Sequence, residues 1–197
     1  LSQPYNSALN FGTGDFSVMG WVRKDGALSV DGINKTTDGS NGIIVNFADA
    51  TSIFFRVGSS SYHSAIFPAG VWNQFVCLRR SGVLYTYING VLANSTANTA
   101  DAYVVAPLRI GYNGINQPLD GALALIRISA TAPSPEQIAK MYNDEKVLFQ
   151  DNAKCTLYGT SDAVTALAYD EDTKYLHVGT SSGRSVFQGL RRIDNTT

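Results

Sequence analysis

Gln74-Phe75-Val76-Cys77-Leu78-Arg79-Arg80-Ser81-Gly82-Val83-Leu84-Tyr85-Thr86-Tyr87-Ile88-Asn89-Gly90 is the stretch that decides the fold class. Two runs of aliphatic, aromatic and β-branched residues are parted by Ser81-Gly82, and the second run ends on Asn89-Gly90. Asn-Gly is a strong hairpin signal, because both residues tolerate the positive φ that a tight two-residue turn demands. Working outward, Phe16-Ser17-Val18-Met19-Gly20-Trp21-Val22 alternates between two faces, with Phe16, Val18, Gly20 and Val22 on one of them. Ile43-Ile44-Val45-Asn46-Phe47, Ser52-Ile53-Phe54-Phe55-Arg56-Val57, Leu108-Arg109-Ile110-Gly111 and Ala122-Leu123-Ala124-Leu125-Ile126-Arg127-Ile128 are further β-runs. Strands at this spacing, broken by Gly, Asn and Ser with no helices between them, predict an all-β antiparallel sandwich or barrel.

One segment departs from that pattern. Ser134-Pro135-Glu136-Gln137 reads as an N-cap serine, a proline at the first helical position and a capping-box glutamine. Ile138, Met141 and Tyr142 then recur at helical spacing, giving a short helix with one apolar face. A helix this short is marginal alone, so it must dock on the sandwich, and its role is structural.

Composition bounds the rest. The 197 residues carry 15 Lys and Arg against 16 Asp and Glu, a net charge of −1, and 44% are apolar. That suffices for a sizeable core and speaks against a dedicated nucleic-acid binder, which would show a basic excess. No run of 18 apolar residues exists, so no helical membrane span is expected. Cys77 and Cys155 form no metal-binding spacing and read as two free thiols. Seventeen of the 21 aromatic residues fall in residues 1–149, which reads as one domain. The remainder, 150–197, holds Val164-Thr165-Ala166-Leu167-Ala168-Tyr169, Tyr175-Leu176-His177-Val178-Gly179 and Ser185-Val186-Phe187-Gln188. This C-terminal β-hairpin element is similar to a single β-propeller blade, and one blade cannot bury its own faces. It is a fragment of a propeller, a hairpin packed on the sandwich, or an element that pairs with other subunits.

The strand series in residues 5–148 resembles the concanavalin A-like, laminin G-type jelly roll. The matching pieces are Phe16 to Val22, Trp72 to Val76, Leu84 to Gly90, Leu108 to Gly111, Leu119-Asp120-Gly121 running into Ile128, and the helix from Pro135 to Tyr142. The resemblance implies two antiparallel sheets in a sandwich with loops at one rim. It also implies that Trp21 and Trp72 are core anchors. It does not fix one activity, because this scaffold carries lectins, adhesion modules, glycosidases and lyases.

Retaining glycosidases place two carboxylates about 5–5.5 Å apart, which on a strand means alternate residues. Residues 1–149 contain only Glu136 and Glu145 as glutamates, both in the helix region, and no strand carries a pair of acids. A polysaccharide lyase of related fold would need a His/Tyr pair; Tyr62-His63, read here on the loop that begins at Gly58, is the one candidate dipeptide. No G-x-S-x-G nucleophile elbow occurs. The expectation is a non-enzyme.

Binding then falls to rim loops offering an aromatic platform with amide and carboxylate groups. Loops at 31–41, 58–64 and 112–117 are the candidates. Tyr112, Asn113, Asn116 and Gln117 are the preferred ligand-binding residues, followed by Tyr62 and His63. A structural Ca²⁺ would need several oxygens, and Asp15 and Asp120 are the positions named for it. Together these readings describe a non-catalytic carbohydrate-recognition or adhesion module of a surface, secreted, phage tail or virion protein. Its partner would be a glycan or host-surface polysaccharide, with other subunits reached through residues 150–197. The alternative is a structural or assembly domain without a sugar ligand; a lyase or glycosidase is the third reading.

Overall fold

The structure is a computed structural model that describes residues 1–37, 41–58, 62–112, 114, 118–149, 157–160, 163–189 and 191–196, with backbone only at positions 62 and 63. Cys155 lies outside the described residues. The chain forms two compact units, Leu1–Tyr142 and Asn143–Thr197.

The first unit holds eleven strands among its described residues: β1 (Ser2–Gln3), β2 (Phe16–Lys24), β3 (Val30–Lys35), β4 (Ile43–Phe47), β5 (Ser52–Val57), β6 (Tyr62–Ile66), β7 (Asn73–Arg80), β8 (Val83–Ile88), β9 (Val91–Ala97), β10 (Leu108–Ile110) and β11 (Gly121–Ser129). They pair antiparallel into a six-stranded sheet, β1-β10-β3-β4-β5-β6, and a five-stranded sheet, β11-β2-β7-β8-β9. The opening stretch folds as its residue types require. Ser81-Gly82 and Asn89-Gly90 make two tight turns with φ of 50° and 74°, then 52° and 79°, and β7 lies between β2 and β8.

The core lies between the sheets. Val45, Phe47, Ile53, Phe55 and Val57 from one sheet meet Phe16, Val18, Val22, Phe75, Cys77 and Leu84 from the other, all of them buried. Period-2 alternation leaves each sheet an outer face. On the five-stranded sheet, Met19, Val76, Leu78 and Tyr87 of the outer face are covered by Ile138 of helix α1 (Pro135–Glu145). Trp21, fully buried, stacks on Tyr142 at 5.8 Å between ring centroids. The capping box forms: the Ser134 amide donates to Gln137 Oε1 at 2.7 Å, and the Gln137 amide to Ser134 Oγ at 3.3 Å. Trp72 differs from its expected role as a core anchor. It is half-buried, with the Arg23 guanidinium 5.8 Å from its ring, because it precedes β7 at the sheet end.

Arg79 closes one end of the sandwich. Its buried guanidinium donates to the carbonyls of Gly12, Gly14 and Ala100 at 2.5, 2.8 and 2.6 Å, tying both loops to β7. No helix among the described residues is long and apolar enough to cross a membrane.

The second unit contains a four-stranded antiparallel sheet in the order β12 (Val164–Asp170), β13 (Tyr175–Thr180), β14 (Gly183–Gln188) and β15 (Arg191–Thr196). Three of these strands match the β-runs of the sequence; β15 adds a fourth.

Candidate functional site

Among the described residues of the first unit no helix packs on the outer face of the six-stranded sheet, and that face holds a groove of ≈ 360 Å³. Alternation explains most of its lining. In β4, Ile43, Val45 and Phe47 turn inward, so Ile44 and Asn46 turn outward with Ala48 beyond the strand end. In β5, Ile53, Phe55 and Val57 turn inward, so Phe54 and Arg56 turn outward. Asp31 and Ser29 complete the wall from the β3 side.

β3 obtains its polar pair by breaking alternation. Asp31 pairs with Asn46 and Ile33 with Val45, so one extra residue, Gly32, is inserted opposite β4. A bulge of this kind shifts the phase of the strand beyond it. Asp31 and Asn34, three apart in sequence, therefore share the outer face, while Ile33 and Lys35 turn to the core. Only glycine fits at the insertion: a Cβ on residue 32 would stand 2.2 Å from Cε2 of the buried Phe47 ring.

The polar groups then lock together. Asp31 accepts the Asn46 Nδ2 and the Asn34 Nδ2 on its two carboxylate oxygens, each at 2.7 Å. Ser29 Oγ donates to Asn46 Oδ1 at 3.0 Å. Arg109 Nη1 on β10 reaches Asn34 Oδ1 at 3.5 Å, a long contact. The Asp31 carboxylate thus fixes two carboxamides in place; Asn34 is buried, while Asn46 lines the groove and has a second N–H and a second oxygen lone pair to offer a ligand. At the groove end, the Thr51 backbone N–H donates to Asp49 at 2.7 Å and holds that carboxyl below the ordinary range, fixing the β4–β5 turn. A flat apolar ring, Phe54, beside fixed donors and acceptors suits a ligand with an apolar face and many hydroxyls. Among the described residues Asp31 is the one carboxylate lining the groove, and two amides already engage it.

The residues named from sequence are distributed unevenly. The expected rim loop at 31–41 is in its first part strand β3, and Asp31 lies at the groove. Tyr62 and His63 are not on a loop: they begin β6 and pair with Arg56 and Phe55 of β5. Residue 62 stays in the ladder because its strand continues the hairpin from β5. Tyr112 is half-buried and bridges Pro118, while Asn113, Asn116 and Gln117 lie outside the described residues. Gly114 packs against the Arg109 guanidinium so closely that a Cβ would stand 2.7 Å from Nε.

Asp15 and Asp120 are not brought together. Asp15 precedes the first residue of β2, and Asp120 precedes Gly121, which pairs with Lys24 at the other end of β2. At about 3.3 Å per residue they stand on the order of 33 Å apart. Asp15 Oδ1 accepts the Ser81 amide at 2.8 Å. Among the described residues no group of three or more His, Cys, Asp and Glu side chains is placed to hold a metal ion. Asn34, Asn46, Phe54 and Arg109 escape a reading by residue type. The alternation of β4 and β5 signals that Asn46 and Phe54 face away from the core, but not that they meet Asp31.

The family model described as Concanavalin A-like lectin/glucanases superfamily matches residues 4–139. No curated protein matches the chain. Among solved structures, domain 4 of AbnA, a GH43 extracellular arabinanase from Geobacillus stearothermophilus, in complex with arabinotriose, is similar at 22% identity and a TM-score of 0.53. That match covers 66% of this chain and 68% of that one. The heptameric SAP-like pentraxin from Limulus polyphemus is similar at 16% identity and a TM-score of 0.53, over 72% of this chain and 80% of that one. The binding domain of botulinum neurotoxin DC, in complex with rat synaptotagmin II, gives 14% identity and a TM-score of 0.54. It matches 92% of this chain and 48% of its own.

Proposed function

The chain belongs to the concanavalin A-like lectin/glucanases superfamily, and on that premise we propose that residues 1–142 form a non-catalytic carbohydrate-recognition module of a secreted, surface or virion protein. One observation carries the reading: Asp31, itself held by the buried Asn34, fixes the carboxamide of Asn46 on an open groove beside Phe54. A preorganised carboxamide and carboxylate exchange water for sugar hydroxyls at little entropic cost, and the phenyl ring takes the apolar face of a pyranose or furanose. The arabinotriose recorded with a protein of the same fold makes arabino-oligosaccharides the first probe. A broader glycan array, including host-surface polysaccharides, follows it.

Calorimetric titration, or the array where arabinotriose is silent, tests the reading. Asp31→Ala and Phe54→Ala are each expected to weaken binding at least tenfold, about 1.4 kcal/mol, while Asp15→Asn leaves it unchanged. An array with no binder, or binding indifferent to both groove variants, overturns the assignment. Catalytic turnover of any bound glycan overturns the non-enzyme reading. A structural Ca²⁺ at Asp15 or Asp120 would have to bind at each separately, drawing further oxygens from backbone and water. A melting temperature that rises with added Ca²⁺ and falls with a chelator is its test.

A further inference from the structure

The second unit leaves its sheet unfinished on both sides. β12 is an edge strand whose Val164, Leu167 and Tyr169 are 49%, 66% and 53% exposed. A seven-residue edge without proline or lysine is a template for another strand, and proteins that keep their edges unpaired normally blunt them. Burial in this unit is small: Val178, Ser185, Val186 and Phe187 are its buried residues among those described. β15, at the opposite edge, is likewise largely exposed.

The two edges are complementary to each other. The register aligns Asp170, Tyr175, Gln188 and Arg191 in one row across the sheet. The β12 end of that row is acidic, with Asp170 followed by Glu171 and Asp172. The β15 end is basic, with Arg191 followed by Arg192. β12 and β14 run one way, β13 and β15 the other. A second sheet set beside the first in the same orientation therefore brings its β12 antiparallel to the first β15, with the Asp170 row meeting the Arg191 row. On one face, Tyr169 of the added copy would stand beside Arg192, in the row of Phe187 and Leu176, and Leu167 beside Asn195. Pairing β12 with β12 about a twofold axis instead sets Asp170 against the apolar Val164 end and away from Arg191.

We propose that residues 163–196 bind a second copy of this chain head to tail, β12 of one copy adding antiparallel to β15 of the next. Such a heterologous contact repeats, and it closes into a ring if its rotation allows. The contact is independent of the groove.

Sedimentation velocity on the full chain at low salt tests it with two variants. Leu167→Lys blunts β12, and Arg191→Glu sets like charge against Asp170 at β15. Wild type is expected to sediment as a species larger than a monomer, and each variant alone to associate at least tenfold more weakly. An equimolar mixture of the two variants is expected to form dimers, because one keeps an intact β15 and the other an intact β12; that rescue also shows both are folded. A wild type that stays monomeric overturns the proposal. So does Arg191→Glu associating like wild type, which would point to β12 pairing with itself, and so does a mixture that fails to recombine.

Discussion

Gly32→Ala is the sharpest perturbation of the link between fold and groove. The added methyl would lie 2.2, 2.9 and 3.1 Å from Cε2, Cδ2 and Cζ of Phe47, all well inside van der Waals contact. The ring cannot swing away, because Phe67 and Phe75 meet it edge-on at 6.1 and 5.5 Å. The bulge backbone must therefore move, and forced overpacking of this kind costs typically about 1–3 kcal/mol. Taking about 2 kcal/mol and roughly 2–4 °C per kcal/mol for a domain of this size, the melting temperature should fall by about 4–8 °C. Both tryptophans, Trp21 and Trp72, lie in residues 1–142, so tryptophan emission follows this unit alone. Phe47→Leu removes the ring atoms that clash, at a cost of its own on the order of 1–2 kcal/mol. In that background Gly32→Ala should cost less by about 1 kcal/mol, a coupling that a double-mutant cycle measures. Gly32→Ala should also weaken groove binding, since displacing the bulge displaces Asp31 relative to Asn46. Wild-type melting of Gly32→Ala, or strict additivity with Phe47→Leu, would refute the reasoning.

Arg79→Met leaves the carbonyls of Gly12, Gly14 and Ala100 without their charged donor. Leaving a buried acceptor unsatisfied costs about 1–3 kcal/mol, so with three carbonyls affected chemical denaturation should show a loss of at least about 3 kcal/mol; a loss under about 1 kcal/mol would mean water replaces the guanidinium. Burial pushes the Cys77 thiol far above its ordinary range, only partly offset by a hydrogen bond with Thr86. In a Cys155→Ser background, Cys77 should react with a disulfide reagent only as fast as the protein unfolds, and rapid native-state labelling would contradict its burial. Because the folded state holds this proton more tightly than the unfolded state, Cys77 favours folding below the ordinary thiol range near ~8.5, and stability should decline as pH rises beyond it. Cys77→Ala should flatten that decline; an unchanged slope would assign it to other groups.

The sandwich was legible because its central strands announce themselves. Phe16 to Val22 and Gln74 to Gly90 carry alternation and Asn-Gly or Ser-Gly turns, signals that act within a few residues and survive in any context. β9 and β15 were not legible as strands. They are exposed edge strands, Val-Leu-Ala-Asn-Ser-Thr-Ala and Arg-Arg-Ile-Asp-Asn-Thr, with no buried face to impose a hydrophobic period. Tyr62 and His63 follow a Gly-Ser run, a pattern that reads as loop and hides β6. β3 is hidden for a different reason: Val-Asp-Gly-Ile-Asn-Lys does not alternate until the bulge at Gly32 is counted.

The same bulge explains why residue type led to the loops rather than to the sheet face. Sequence by itself determined the all-β sandwich, the docked helix with its Ser134–Gln137 cap, the family, and the scarcity of strand carboxylates. Each of these depends on local propensity or on composition. Tertiary structure alone decided that Ser29, Asp31, Asn34, Asn46, Phe54 and Arg109 converge, because four non-neighbouring segments meet only through strand register and one inserted glycine. It also decided that β12 and β15 stand at opposite edges with opposite charge in one row, since the order of strands in a sheet is set by pairing, which no single segment encodes.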